Sequence, residues 1–127
     1  MKKILVLFLL IFAFILNVKK VNALTYEEAI KQPKPMVLLI YANWADDLST
    51  VQQSFSKMRN SYGKTYNFVT LNIASDEAKV YNKKYYFYPN LPYILLIRDG
   101  GKVSRFLQKD CINSESCFAE KLKFFIN

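Results

Sequence analysis

The sequence predicts an α/β domain: a central mixed sheet of about four strands, sandwiched between helices in three layers. Three observations carry this. The apolar run Met36-Val37-Leu38-Leu39-Ile40 stands between Pro35 and a polar turn, and such a run reads as a strand buried on both faces. A helical pattern and a second β-rich run follow it, the order of a right-handed β-α-β unit with parallel strands. Further on, two strand-like runs flank Asp99-Gly100-Gly101, a hairpin signal that adds antiparallel strands.

Each element has its own reason. Thr25-Tyr26-Glu27-Glu28 is a capping box, opening a short helix that must stop before Pro33 and Pro35. Residues 36–42 form the first strand. Leu48, Val51, Phe55 and Met58 recur at i, i+3, i+7 and i+10, one face of a helix ending near Ser61-Tyr62-Gly63. Leu48, at the head of that stripe, is expected in the core. Residues 68–73 form the second strand. Ser75-Asp76 starts another helix, with Ala78, Tyr81 and Tyr85 on one side. Tyr85-Tyr86-Phe87-Tyr88 is an aromatic cluster that core and rim packing explains. Residues 93–97 and 103–107 are the hairpin strands, and Phe118, Leu122 and Phe125 mark the last helix.

Residues 1–23 have the pattern of a secretory signal. Met1-Lys2-Lys3 precedes thirteen apolar residues, and the exit places Val21 and Ala23 at the −3 and −1 positions. A spanning helix needs about 20 apolar residues, so the run is short for one. Cleavage after Ala23 and export are expected, to a periplasmic, extracytoplasmic or secreted location, with residues 24–127 as the folded domain. The alternative is an uncleaved membrane anchor, which Lys19-Lys20 in the exit region favours. Membrane contact is expected only in that case.

The chain carries 18 basic and 10 acidic side chains, a net +8. Lys2, Lys3, Lys19 and Lys20 leave with the leader, so the remainder has 14 against 10, or +4. That is ordinary for a soluble surface, and no long basic run exists. Nucleic acid is therefore not an expected partner. Histidine is absent, which removes the commonest general base and the commonest zinc ligand together. No cofactor and no metal are expected. Asp46 and Asp47, adjacent at a helix start, read as dipole-stabilising caps rather than as an acid/base or metal pair.

Cys111 and Cys117 are the two cysteines. Export permits a disulfide between them, tying the end of the last strand to the final helix. A relocated redox pair is the functional alternative, although C-x5-C lacks the spacing that tunes thiol acidity in C-x-x-C. Two free thiols is a third possibility.

Three motifs in order give the chain a family likeness: the strand ending Tyr41-Ala42-Asn43-Trp44 and running into a helix, Asn90-Leu91-Pro92-Tyr93 leading into a strand, and the Asp99-Gly100-Gly101 hairpin closing with Val103-Ser104-Arg105-Phe106. Over residues 35–127 the sequence resembles the thioredoxin superfamily. The resemblance implies a sheet of order 2-1-3-4 with the third strand antiparallel to the first, and it makes Leu91-Pro92 the counterpart of the family's cis-proline loop.

The departures bear on function. Where the family has C-x-x-C, this chain has Ala45-Asp46-Asp47-Leu48, so Ala45 and Leu48 occupy the two thiol positions. Leu39 stands where many active members bury an acidic residue. Thiol–disulfide exchange needs a thiolate attacking sulfur, and this loop has none. The family's groove, walled by the tryptophan and by the loop before the proline, binds extended peptides by strand addition, which needs no cysteine. Trp44, Leu91, Pro92 and Tyr93 are the corresponding candidates, unless Trp44 and Pro92 persist only as fold elements. The expected function is thus an exported, redox-inactive thioredoxin-like protein that binds an extended peptide or partner protein. The alternatives are a thiol–disulfide oxidoreductase using Cys111 and Cys117, and a membrane-tethered structural domain.

Overall fold

The computed structural model describes residues 24–84 and 90–126. The proposed leader and the Tyr85-Tyr86-Phe87-Tyr88 cluster lie outside the described residues. The elements run α1 (Tyr26–Ile30), β1 (Met36–Tyr41), α2 (Leu48–Tyr62), β2 (Asn67–Asn72), α3 (Asp76–Lys84), β3 (Tyr93–Arg98), a 3-10 turn (Asp99–Gly101), β4 (Val103–Leu107), α4 (Lys109–Ile112) and α5 (Glu115–Phe125). Among the described residues no helix is long and apolar enough to cross a membrane.

The sheet order is β2-β1-β3-β4. β1 runs parallel to β2 and antiparallel to β3, and β3 pairs antiparallel with β4. This is the mixed sheet that the sequence predicts. Side chains alternate between faces along a strand, so β1 divides its apolar run between two cores. Val37 and Leu39 face one layer with Val51, Phe55 and Met58 of α2 and Phe118 and Leu122 of α5. Met36, Leu38 and Ile40 face the other, with Tyr26 and Ala29 of α1 and Ala78 and Tyr81 of α3. All five β1 positions are buried because helices cover both faces.

The local signals act as expected at the starts of α1 and α3. The Thr25 hydroxyl accepts from the Glu28 amide, and Glu28 reaches back to Thr25, completing the capping box. Ser75 Oγ accepts from the Ala78 amide and starts α3. The Glu77 carboxylate accepts from the Tyr26 amide at 2.7 Å and fixes α1 against α3. Gly100 takes φ +66° in the hairpin turn, where a side chain would be strained.

Two expectations change. Leu48 is only half-buried and belongs to neither core, because α2 begins at the rim of the sheet and its apolar face meets the core only from Val51 onward. The second concerns the cysteines. They do form a disulfide, but Cys111 sits in the additional helix α4 and Cys117 in the first turn of α5. The bridge therefore ties helix to helix, not strand to helix.

One buried polar group was not foreseen. The Tyr66 hydroxyl, between α2 and β2, donates to the Leu122 carbonyl at 2.6 Å. Leu122 belongs to the last turn of α5, where carbonyls lack an assured intrahelical partner. Burial pushes the Tyr66 hydroxyl pKa up to about 12, an effect that nearby Arg98 partly opposes.

Candidate functional site

The register brings three distant segments to one end of the sheet. Ile40, near the end of β1, pairs with Tyr93, the first residue of β3. Ile94 pairs with Leu107, the last residue of β4. The turn after β1, the Leu91-Pro92 loop before β3 and the start of α4 after β4 therefore meet. The end of an open sheet where strands finish and connections diverge is a usual place for ligands.

The three segments enclose a groove of about 570 Å³. Trp44, Ala45, Asp46 and Asp47 form one wall. Asn90, Leu91 and Pro92 form a second, and Phe106, Gln108 and Lys109 a third. The Leu91–Pro92 peptide bond is cis. Trp44 is 74% exposed, and Phe106, the neighbour of Tyr93 at 5.7 Å between ring centroids, is 47% exposed. Among the described residues, two of the five large exposed apolar side chains thus share this groove.

The candidate residues separate by burial. Trp44 presents an open aromatic surface. Leu91 is half-buried and Pro92 is buried. Tyr93 is 1% exposed and packs in the core, so it lies beneath the groove and offers little of its own surface. Ala45 lines the groove, whereas Leu48 is half-buried outside it. Leu39 is fully buried in the core beside α2. Phe106, Gln108 and Lys109 were missed by the sequence reading, because the pairing of β4 with β3 is what delivers them. An aromatic at the end of an edge strand is the one signal that pointed there.

Asp47 is at the N-cap of α2, but its side chain makes no capping hydrogen bond. Its backbone is left-handed, at φ 62° and ψ 12°. The carboxylate instead faces Lys109 of α4 at 3.9 Å, across the groove. Both side chains are well exposed, so the pair contributes about 0–1 kcal/mol. The capping expectation thus holds for the position of Asp47 and fails for its side chain. Among the described residues no cluster of three His, Cys, Asp or Glu side chains could hold a metal.

The disulfide lies behind the third wall. Cys111 is 7% exposed and belongs to the core cluster, Cys117 packs beside it, and the Ser114 hydroxyl accepts from the Cys117 amide.

No protein-family model matches the chain, and no curated protein matches it. Solved structures do. A structure described as a malarial protein is 22% identical over 71% of this chain and 94% of its own, with a TM-score of 0.54. Oxidised mitochondrial thioredoxin 3 from Saccharomyces cerevisiae is 21% identical over 74% of this chain and 81% of its own, with a TM-score of 0.57. The J-Trx1 fragment of ERdj5 is 12% identical over 82% of this chain, with a TM-score of 0.64. This chain spans about half of that fragment, 49%. The fold is thioredoxin-like. At these identities the likeness carries the fold and not the chemistry.

Proposed function

We propose that this chain is an exported thioredoxin-like protein that holds an extended peptide, or an extended segment of a partner protein, in the groove between Trp44 and Leu91-Pro92. The loop at Ala45-Asp46-Asp47-Leu48 carries out no thiol–disulfide exchange. The observation that carries this reading is the 74% exposure of Trp44 on a groove whose described lining residues include Ala45 and no cysteine. An aromatic side chain left in water on a concave wall is the kind of surface that binding covers. The chemistry, by contrast, needs an attacking thiolate, a resolving thiol and a path for the proton within bonding distance. Ala45, Leu48 and Leu39 hold those places, and none of them ionises.

Export rests on the leader pattern of residues 1–23, and a disulfide is at home in an oxidising compartment. N-terminal sequencing of the exported protein is expected to begin at Leu24. An intact Met1 in the membrane fraction would establish the anchored form instead.

The rival function, an oxidoreductase working through Cys111 and Cys117, draws on the bond between them. One assay separates the two. Wild-type protein is expected to leave insulin disulfides intact in the presence of a dithiol, and Trp44→Ala is expected to weaken peptide capture while the far-UV spectrum stays native. Insulin reduction that disappears in the Cys111→Ser/Cys117→Ser variant would establish the rival. Reduction that survives in that variant would refute the inactive-loop reading. Undiminished capture by folded Trp44→Ala would leave the groove as architecture alone.

A further inference from the structure

We infer that the peptide this groove takes carries a basic side chain, arginine before lysine, at the position that lies against Trp44. The inference rests on the groove reading above and adds the chemistry of the occupant.

Two properties of the walls select a cation. The first is aromatic surface. Trp44 at 74% and Phe106 at 47% exposure both line the groove, and a planar guanidinium stacks on exposed aromatic rings. The second is charge. Among the described residues, three charged side chains line the groove: Asp46, Asp47 and Lys109. Lys109 faces Asp47 at 3.9 Å, and among the described residues Asp46 has no ion-pair partner. The groove is thus left with one uncompensated carboxylate, although residues 24–127 carry 14 basic side chains against 10 acidic ones. The local sign opposes that of the surface as a whole. An acidic segment would meet the repulsion of Asp46. A neutral apolar segment could cover Trp44 but would leave Asp46 without a counter-charge. An arginine satisfies both, its guanidinium plane on the indole and its N–H groups on the carboxylate.

Trp44 is the single tryptophan of the chain, so its emission reports directly on occupancy. The experiment uses three capped nine-residue peptides of extended-favouring sequence, identical except for a central arginine, citrulline or glutamate. Citrulline keeps the shape of arginine and removes its charge. Each is titrated into the exported protein, followed by Trp44 emission and by calorimetry. The arginine peptide is expected to bind about tenfold more tightly than the citrulline peptide, with glutamate weaker again. The advantage is expected to shrink at high salt. Asp46→Asn is expected to bring the arginine-to-citrulline ratio to about twofold or less, while Asp76→Asn, on exposed α3, leaves the ratio intact. Equal binding of all three peptides, or an arginine advantage that survives Asp46→Asn, overturns the charge inference and leaves the groove reading standing. No binding of any of the three, by either signal, overturns both.

Discussion

Two of the three segments that line the groove differ in what they carry. The turn after β1, Ala42 to Asp47, offers the groove an indole, a methyl group and two carboxylates. The segment after β4 holds both cysteines of the chain, and there they are joined, with Cys111 in the core. On the function proposed above, the exposed turn serves recognition and the joined cysteines serve structural closure. The two touch through Lys109 and Asp47, so the disulfide-braced helix also forms a wall of the groove.

The comparison can be broken first at its most buried point. Leu39→Asp places a carboxyl within β1, at a site with 0% exposure and apolar neighbours. An unpartnered carboxylate there is expected to cost about 3–5 kcal/mol at neutral pH, read from urea unfolding. A loss below about 1 kcal/mol would mean that the site still tolerates an acid, and the inactive-loop reading would weaken with it.

The second test asks what else holds α5, the helix that carries Cys117. Tyr66 binds the Leu122 carbonyl from below, and its hydroxyl pKa is raised from about 10 to about 12. A folded-state pKa raised above the unfolded value means that the unfolded chain releases its proton first. Stability from this group is therefore complete below pH 10 and is lost as pH climbs toward 12, by about 2–3 kcal/mol in all. Tyr66→Phe is expected to flatten that alkaline loss and to cost about 1–2 kcal/mol at pH 7 by leaving the Leu122 carbonyl without its donor. An unchanged alkaline profile in Tyr66→Phe would assign the loss to another group.

The disulfide comes next. It closes a short loop, six residues apart in sequence, so Cys111→Ser is expected to lower stability by about 2 kcal/mol at most. Unreduced mass spectrometry should show a two-hydrogen deficit in the wild type. Free thiols at both positions would remove the structural half of the comparison.

Much of the frame was legible because its signals are local. β1 is a run of apolar residues with helices on both sides, and the Thr25 capping box and the α2 stripe from Val51 to Met58 need only helical spacing to be seen. What escaped depends on pairing. Four residues of α4 are too few for any periodicity. Phe106 and Lys109 share the groove with Trp44 only because β4 lies antiparallel to β3, so no stretch of sequence holds the groove's third wall beside its first. Tyr66 follows the end of α2 and reads as a strand-flanking aromatic, while its hydroxyl works on a helix 56 residues away. Leu48 fits the helical stripe perfectly well and still falls at the rim, because spacing gives the face of a helix and not how deep its first turn sits.

The smallest effect is expected at the point where the two segments meet. Asp47 has three possible duties, and each can be weighed. It could cap α2, but its side chain makes no capping bond, so removing the side chain forfeits none. It could be needed for the backbone, yet φ 62° is a conformation that costs a non-glycine residue about 1–2 kcal/mol and costs glycine far less. It could hold Lys109, but an exposed pair at 3.9 Å contributes about 0–1 kcal/mol. Relief of the backbone and loss of the pair nearly cancel, so Asp47→Gly is expected to change stability by less than about 1 kcal/mol, on the stabilising side. Asp47→Val keeps the loss and adds a β-branched side chain at a left-handed position, so it is expected to destabilise by about 1–2 kcal/mol more than glycine does. Urea unfolding of the two variants measures the difference. If Asp47→Gly instead destabilises the domain by well over 1 kcal/mol, the Lys109 contact is stronger than its exposure allows, and the two walls of the groove are held together by charge and not merely placed side by side by the sheet.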